Sequence, residues 1–209
     1  MSGDELLLDG AAISAATNSL TGINQSLEGG LRSVARVPKQ SESDIRDTPE
    51  FKAIQQDERF QSWLLMHDAA MQIEFTVIEV PELNGHEFTR EGLVIAEQEI
   101  MRRFGDSNPF NKENYKLGMR FFYFIGETFR RNLEGKWVAL PPEPPNTNAT
   151  SAIDLPFRSG FQNPRHMMGF IKQRRTGNEL TKIYDRAVAR HKEWVALGRP
   201  ARGAWEGYL

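Results

Sequence analysis

The feature that most constrains this fold is a nearly all-apolar segment that carries one carboxylate. The stretch LGMRFFYFIGETFRRNLEGKWVALPPEPP, residues 117–145, places Glu127 directly after Gly126 and eight positions before Gly135. Its apolar spacing predicts a helix from about residue 112 to 133, with Gly135 just past its end, where a left-handed residue commonly terminates a helix. A tryptophan-bearing strand and a proline run follow. The central question is whether Glu127 is catalytic or structural.

The cationic side chains around Glu127 favour a structural role. On a helix, Arg130 and Arg131 follow the acid by three and four positions, the favourable order for ion pairs, and Arg120 falls on the same face. A carboxylate among three guanidinium groups is held ionised, which makes it a poor general base near neutral pH. The residues that we assign to this structural role are Glu127, Arg131, Gly126 and Gly135.

Residues 11–36 show apolar side chains at a seven-residue spacing. The repeat consists of Ile13, Leu20, Leu27 and Val34, with Ala16, Ile23 and Gly30 between them. Such a repeat keeps an apolar seam turned towards one partner, and the other residues are poor helix formers, so the helix needs a surface to lie against. That surface is either the chain's own domain or another chain. The predicted contact residues are Leu20, Ile23 and Leu27.

The rest of the chain predicts one domain of helices and a hairpin. The sequence divides into residues 1–36, the N-terminal unit with the heptad-like docking helix, a polar linker over 37–58, the main domain over 59–197 and a tail over 198–209. The predicted elements are helices over 59–74, 90–104 and 112–133, strands over 136–140 and 151–157, and helices opening at Asn163 and Asn178; residues 76–80 fit a strand or a helix end. The predicted class is therefore α+β and helix-rich, with about five to six helices, a small antiparallel β-hairpin and an N-terminal amphipathic helix.

Motifs for metal, nucleotide or nucleophile chemistry are missing from the sequence. The histidines at 67, 86, 166 and 191 include no pair three or four positions apart, so a helical zinc motif is absent. Phosphate-binding glycine loops and nucleophile elbows are also absent. We therefore predict no metal and no cofactor. A small hydrolase-type enzyme that uses Glu127, with His67 or Asp68 in a cleft, stays as an alternative.

Charge and composition narrow the class of partner and the compartment. The net charge of −2 and the shortness of the basic cluster at Lys172, Arg174 and Arg175 disfavour nucleic acid and favour an acidic protein surface. Carboxylates such as those in AEQEI, residues 96–100, read as a solvated face. The start of the chain lacks the features of a secretion signal, and no apolar run approaches bilayer length. With no cysteine in the chain, these features predict a cytoplasmic protein without membrane contact.

The glycines around Glu127 also carry a resemblance. The matching residues are Gly118, Gly126, Glu127, Gly135 and Trp137. On these, residues 60–195 resemble a loose group of small bacterial domains in which a helix with a Gly-Glu step is followed by a glycine and a tryptophan-bearing strand. Such domains look like the immunity or interaction proteins of bacterial toxin systems, and no catalytic residues come with the resemblance. The segment 11–36 is similar to helices of actinobacterial secretion-associated proteins.

Three functional hypotheses follow from the sequence. The leading one is a non-enzymatic, immunity- or adaptor-like protein that docks a protein partner through exposed aromatic and arginine anchors. The predicted anchors are Trp137, Arg174, Arg175, Trp205 and Tyr208. The second is a structural subunit of a phage or secretion particle that self-associates through residues 11–36. The third is the hydrolase-type enzyme centred on Glu127.

Overall fold

The structure is a computed structural model that describes residues 44–142, 148–202 and 204. Within these residues the chain forms six α-helices and a two-stranded antiparallel hairpin, which confirms the predicted helix-rich α+β class. The predicted N-terminal helix lies outside the described residues. So do five of the predicted contact residues: Leu20, Ile23, Leu27, Trp205 and Tyr208.

The described elements follow one another in the predicted order. They are α1 (Pro49–Ile54), α2 (Glu58–Ala70), a π-helix (Met71–Glu79), α3 (Arg90–Phe104), α4 (Tyr115–Asn132), β1 (Lys136–Leu140), β2 (Thr150–Asp154), α5 (Pro164–Arg174) and α6 (Glu179–Ala196). Short 3-10 turns occupy Ile45–Asp47 and Pro81–Leu83. Residues 76–80, which the sequence left between strand and helix, belong to the π-helix as far as Glu79.

Helix α4 is the centre of the domain. Every residue from Gly118 to Phe129 is buried, so this helix is covered on all sides rather than along one stripe. The α2–π helix, α3, α5 and the hairpin pack around it. Aromatic rings fill the contacts; Phe75 and Phe104 both meet Phe121 edge to face.

The hairpin lies against α4 because two glycines make room for it. A Cβ atom on Gly126 would lie 2.2 Å from the Trp137 ring, so the indole can pack on the helix backbone only at a glycine. A Cβ atom on Gly135 would lie 2.9 Å from methyl groups of Ile153 and Leu155. Trp137 and Ile153 are paired across the two strands.

The left-handed residue at the end of α4 is Glu134 and not Gly135, which corrects the sequence prediction. Glu134 has a φ of 55°, while the Gly135 N–H donates to the Arg130 carbonyl at 3.1 Å, the pattern of a Schellman cap. Steric space beside β2, rather than backbone freedom, is therefore what requires a glycine at 135.

Part of the predicted linker, residues 37–58, is folded into the domain. Thr48 caps α1 and Pro49 opens it, and Phe51 is buried against the hairpin. The Gln55 side chain exchanges two hydrogen bonds with the Ala139 backbone, at 2.8 and 3.0 Å, and so satisfies the edge of β1. The polar composition of this segment predicted a linker because only one face of this short helix is apolar.

Asp154, at the end of β2, ties down both ends of the described chain. Arg46 and Arg202 each donate to one of its oxygens at 2.8 Å, and the carboxylate is buried. The tail therefore packs back on the domain as far as Arg202, and the indole of Trp194 donates to the Pro200 carbonyl at 3.0 Å.

Candidate functional site

Glu127 is the buried acceptor of a closed set of hydrogen bonds. Its two oxygens accept two hydrogen bonds from Arg130, at 2.6 and 2.7 Å, and one from Arg131 at 2.6 Å. The Trp137 indole donates a fourth at 3.0 Å. Only 1% of the residue is exposed. Burial alone would raise the pKa of Glu127, but the hydrogen bonds from the two arginines and the indole outweigh it and hold the pKa below its ordinary value.

Arg120 does not belong to this cluster, which corrects the prediction of three arginines around Glu127. It pairs instead with Glu74 and Glu79 on the π-helix. Seven helical positions separate Arg120 from Glu127, about 10 Å along the axis, so a shared face does not bring the two side chains together. Arg120 therefore attaches the π-helix to α4.

Aromatic rings close the remaining side of the Glu127 cluster. Trp137 stacks on Tyr123 at 5.2 Å and meets Trp63 edge to face at 5.3 Å. His67 stacks on Tyr123 at 5.3 Å, and burial followed by the charge of Arg120 lowers the pKa of His67 to about 4. An ionised carboxylate enclosed by two guanidinium groups and an indole offers no free lone pair to a substrate, so the geometry fits a structural role for Glu127.

The predicted anchors in the described residues are already engaged. Trp137 is buried, because the indole packs on Gly126, and this corrects its assignment as an exposed anchor. Arg174 pairs with Glu179 at 2.8 Å and lies over Phe170. Arg175 pairs with Asp106 at 2.6 Å. Both arginines are about half exposed, but their charges are matched within the domain.

Glu97, which the sequence predicted to lie on a solvated face, is a buried carboxylate with a structural role. It is fully buried and accepts the backbone N–H groups of Glu179 and Leu180 at 2.9 and 2.8 Å. It therefore caps α6 from a different helix, where Asn178 makes no side-chain cap bond. Its neighbour Glu99 is also nearly buried, held by Arg102 and Arg103 at the end of α3.

Metal ligands do not converge in the part of the chain that the structure describes. None of its His, Asp and Glu residues form a group of three that could hold an ion. Of the histidines, His67 lies among aromatic rings, and His191 contacts Glu134 at 3.1 Å. Among the described helices, none is both long and apolar enough to cross a bilayer.

On the surface of the described residues, several large apolar side chains form a row that we call the apolar stripe. It runs along the continuous helix formed by α2 and the π-helix, on the side opposite the core. Each of its five residues is more than half exposed: Leu65 (74%), Met66 (59%), Ile73 (66%), Val77 (55%) and Ile78 (69%). Monomeric proteins rarely leave so many large apolar side chains together in water.

The π-helix brings the two halves of the apolar stripe into line. Leu65 and Met66, in α2, share a face with Ile73, which follows them by eight and seven positions near the start of the π-helix. In the π-helix, hydrogen bonds span five residues, as between the Val80 N–H and the Phe75 carbonyl at 2.8 Å, so Val77 and Ile78 stack over Ile73. A further sequence signal was available, since apolar residues occur on more faces of this helix than one core can cover.

An open cleft of about 280 Å³ adjoins the apolar stripe. Val77, Thr76 and Phe88 line the cleft, and Asp68, Glu87 and Arg131 bring charged groups to it. Phe88 has a φ of 55°, rare for a residue with a bulky side chain, and its ring lies 4.0 Å below the Arg131 guanidinium. The cleft combines an apolar wall with carboxylates.

Comparison with known proteins adds no assignment, because no protein-family model, curated protein or solved structure matches this chain.

Proposed function

We propose that this chain is a non-enzymatic protein-binding protein that docks a partner through the apolar stripe. The observation that carries the proposal is the exposure of five large apolar residues along one face of the helix from Glu58 to Glu79. Such a patch on an otherwise charged surface is typical of an interaction site. The interior acid that first suggested chemistry, Glu127, is committed to the scaffold.

The apolar stripe is large enough to support specific binding. Full burial of one such side chain stabilises a complex by about 1.5–3 kcal/mol, so burying the exposed part of five contributes about 5–10 kcal/mol. That range includes the ~8 kcal/mol of a micromolar complex, before the costs of association and the partner's own contribution. Ser62, Ala69 and Gln72 are also exposed on this face, and none of them carries a charge that would oppose an apolar partner.

The mode of action that we propose is docking or occlusion, as in an immunity or adaptor protein of the cytoplasm. The resemblance around Gly126, Glu127, Gly135 and Trp137 supports this class, and the lack of cysteine supports a reducing compartment. The rigid ring-filled core behind the π-helix supports it as well, because a fixed surface loses little entropy on binding.

The proposal is tested by mixing the chain with the proteins encoded beside its gene and measuring complexes by calorimetry. The triple variant Leu65→Ser/Ile73→Ser/Ile78→Ser should weaken a complex at least a hundredfold. Leu197→Ser removes another exposed leucine, 58% exposed and just after α6, and should leave the complex unchanged. A complex that survives the triple variant, or no complex with any neighbour, contradicts docking at the apolar stripe.

The mass of the chain in solution separates this proposal from assembly. If the chain self-associates, deleting residues 11–36 tests whether that segment holds the copies together, and the triple variant tests whether the apolar stripe does. Loss of association only in the deletion would favour the structural-subunit hypothesis, whereas loss only in the triple variant would make the partner a second copy.

A further inference from the structure

The cleft and the apolar stripe form one continuous surface. Val77 contributes to both, and Gln72, which also lines the cleft, is exposed between Met66 and Ile73 on the same helix. A segment that lies along the stripe therefore passes the mouth of the cleft.

The only described cation that lines the cleft, Arg131, is already in use. Its Nε donates to Glu127 at 2.6 Å, its guanidinium lies over Phe88 and its Nη2 is 3.5 Å from Asp68. Because Glu127 is buried and ionised, turning Arg131 away towards a ligand would weaken the support of that charge. Arg131 is thus poorly placed to receive an anion.

The carboxylates of the cleft leave a negative charge towards solvent. Asp68 is about half exposed, and Glu87 accepts only the Gly85 backbone N–H at 2.9 Å among the hydrogen bonds described for it. Together with the Glu127 cluster, this region holds three carboxylates, Asp68, Glu87 and Glu127. The two guanidinium groups of Arg130 and Arg131 neutralise two of them, which leaves one net negative charge. A cationic group complements this balance.

Resting on the proposed function, we infer that the partner segment is an amphipathic helix that places a lysine or arginine in the cleft. The apolar stripe extends from Leu65 to Ile78, about 20 Å along one continuous helix, which suits the apolar face of a second helix laid along it. The aliphatic stem of the basic side chain would pack on Val77 and Phe88, and its charged end would reach Asp68 and Glu87.

A pair of synthetic peptides tests this inference on the full chain. Both are fluorescein-labelled 18-residue helices with leucines on one face; lysines flank that face in one peptide and glutamates in the other. Fluorescence anisotropy at low salt should give a dissociation constant at least tenfold lower for the lysine peptide, and the preference should shrink as salt is added.

Two sets of variants make the result specific. Asp68→Asn/Glu87→Gln should reduce the preference to less than twofold, whereas Glu50→Gln/Glu193→Gln, which removes the same charge from exposed positions elsewhere, should preserve it. The triple stripe variant should lose both peptides.

Three outcomes overturn the inference. Equal affinities that still depend on the stripe contradict a cationic partner but leave docking at the stripe intact. Binding of the lysine peptide to the triple variant shows charge attraction without docking. If neither peptide binds, the partner is not an amphipathic helix, and the proposed function is decided separately by the neighbouring proteins.

Discussion

Replacing Glu127 by glutamine tests whether the buried carboxylate stabilises the domain through its charge. The substitution keeps the shape of the side chain and an oxygen that can accept from Trp137, but it removes the charge that binds Arg130 and Arg131. A hydrogen bond to a charged group contributes about 1.5–3 kcal/mol, and breaking a fully buried ion pair costs about 3–5 kcal/mol.

The expected loss lies towards the lower end of these values. The side chains of Arg130 and Arg131 are 37% and 43% exposed, so both guanidinium groups can turn to water instead of remaining buried without a partner. We therefore expect Glu127→Gln to lower the free energy of unfolding by about 2–3 kcal/mol at pH 7. Urea unfolding followed by tryptophan fluorescence measures it, and Trp137 is one of the reporters.

The pH dependence distinguishes charge from packing. The pKa of Glu127 is lower in the folded chain than the ordinary value of 4.5, so its stabilisation is complete above pH 4.5 and is lost as the pH falls through the folded value. The difference between the two proteins should therefore shrink in acid. A difference that stays the same at pH 7 and pH 3 would refute the argument, as would a loss below about 1 kcal/mol.

Glu99 provides a matched control because it repeats the arrangement without the indole. Arg102 and Arg103 bind it from three and four positions along α3, and the hydrogen bond from Arg102 leads the causes that lower the pKa of Glu99 to about 2. Glu99→Gln should cost about 1–2 kcal/mol. A loss equal to that of Glu127→Gln would contradict the argument from burial, because the side chain of Glu99 is 10% exposed and that of Glu127 only 2%.

Three other substitutions test separate parts of the fold. Gly126→Ala should destabilise the domain by about 2–3 kcal/mol in urea, because the new methyl group would displace the Trp137 ring; a loss under 0.5 kcal/mol would contradict the close approach. Burial, and then the charge of Arg120, lower the pKa of His67 from 6.5 to about 4 in the folded chain. Between these pH values the unfolded chain binds a proton that the folded chain does not, so the free energy of unfolding of the wild type should fall by about 3 kcal/mol from pH 6.5 to 4. His67→Gln should remove that part of the decline, and parallel curves of stability against pH would refute it. Glu97→Gln should weaken the cap of α6 by about 1–2 kcal/mol and speed amide hydrogen exchange at Glu179 and Leu180, while unchanged exchange there would show that the cap is dispensable.

Local periodicity was sufficient for α2 to α6, for the two strands and for the centre of the fold, but not for α1 or the π-helix. The apolar run around Phe121 and Phe124 predicted α4, and the alternation about Ile153 predicted β2, because both patterns depend only on neighbouring residues. The Glu127 ion pair with Arg130 and Arg131 follows in the same way from positions three and four apart on a helix.

What the sequence did not reveal depends on contacts between distant residues. Glu97 caps a helix that begins 82 positions later, and no local pattern encodes that distance. Gly135 was recognised as a necessary glycine, but its reason lies in methyl groups of β2 rather than in its own backbone. The direction in which Trp137 points depends in the same way on its packing against α4.

The candidate site was missed for a related reason. The sequence shows that the helix containing Leu65, Met66 and Ile73 has apolar residues on several faces, but not which face the core covers. The alignment of Val77 and Ile78 with these residues requires the five-residue hydrogen bonds of the π-helix, which the alternation of TVIEV does not indicate.

The shared carboxylate of Asp154 has a consequence for engineering. Arg46 and Arg202 donate to the same oxygen, so their backbone positions lie within about two arginine side-chain lengths of each other. The chain therefore enters and leaves the domain at nearby points. A host protein could accept such a domain in a surface loop with little distortion, and a short connector between these ends would permit circular permutants with new termini elsewhere. Asp154→Asn would loosen that closure first at the ends and leave α4 at the centre of the domain intact.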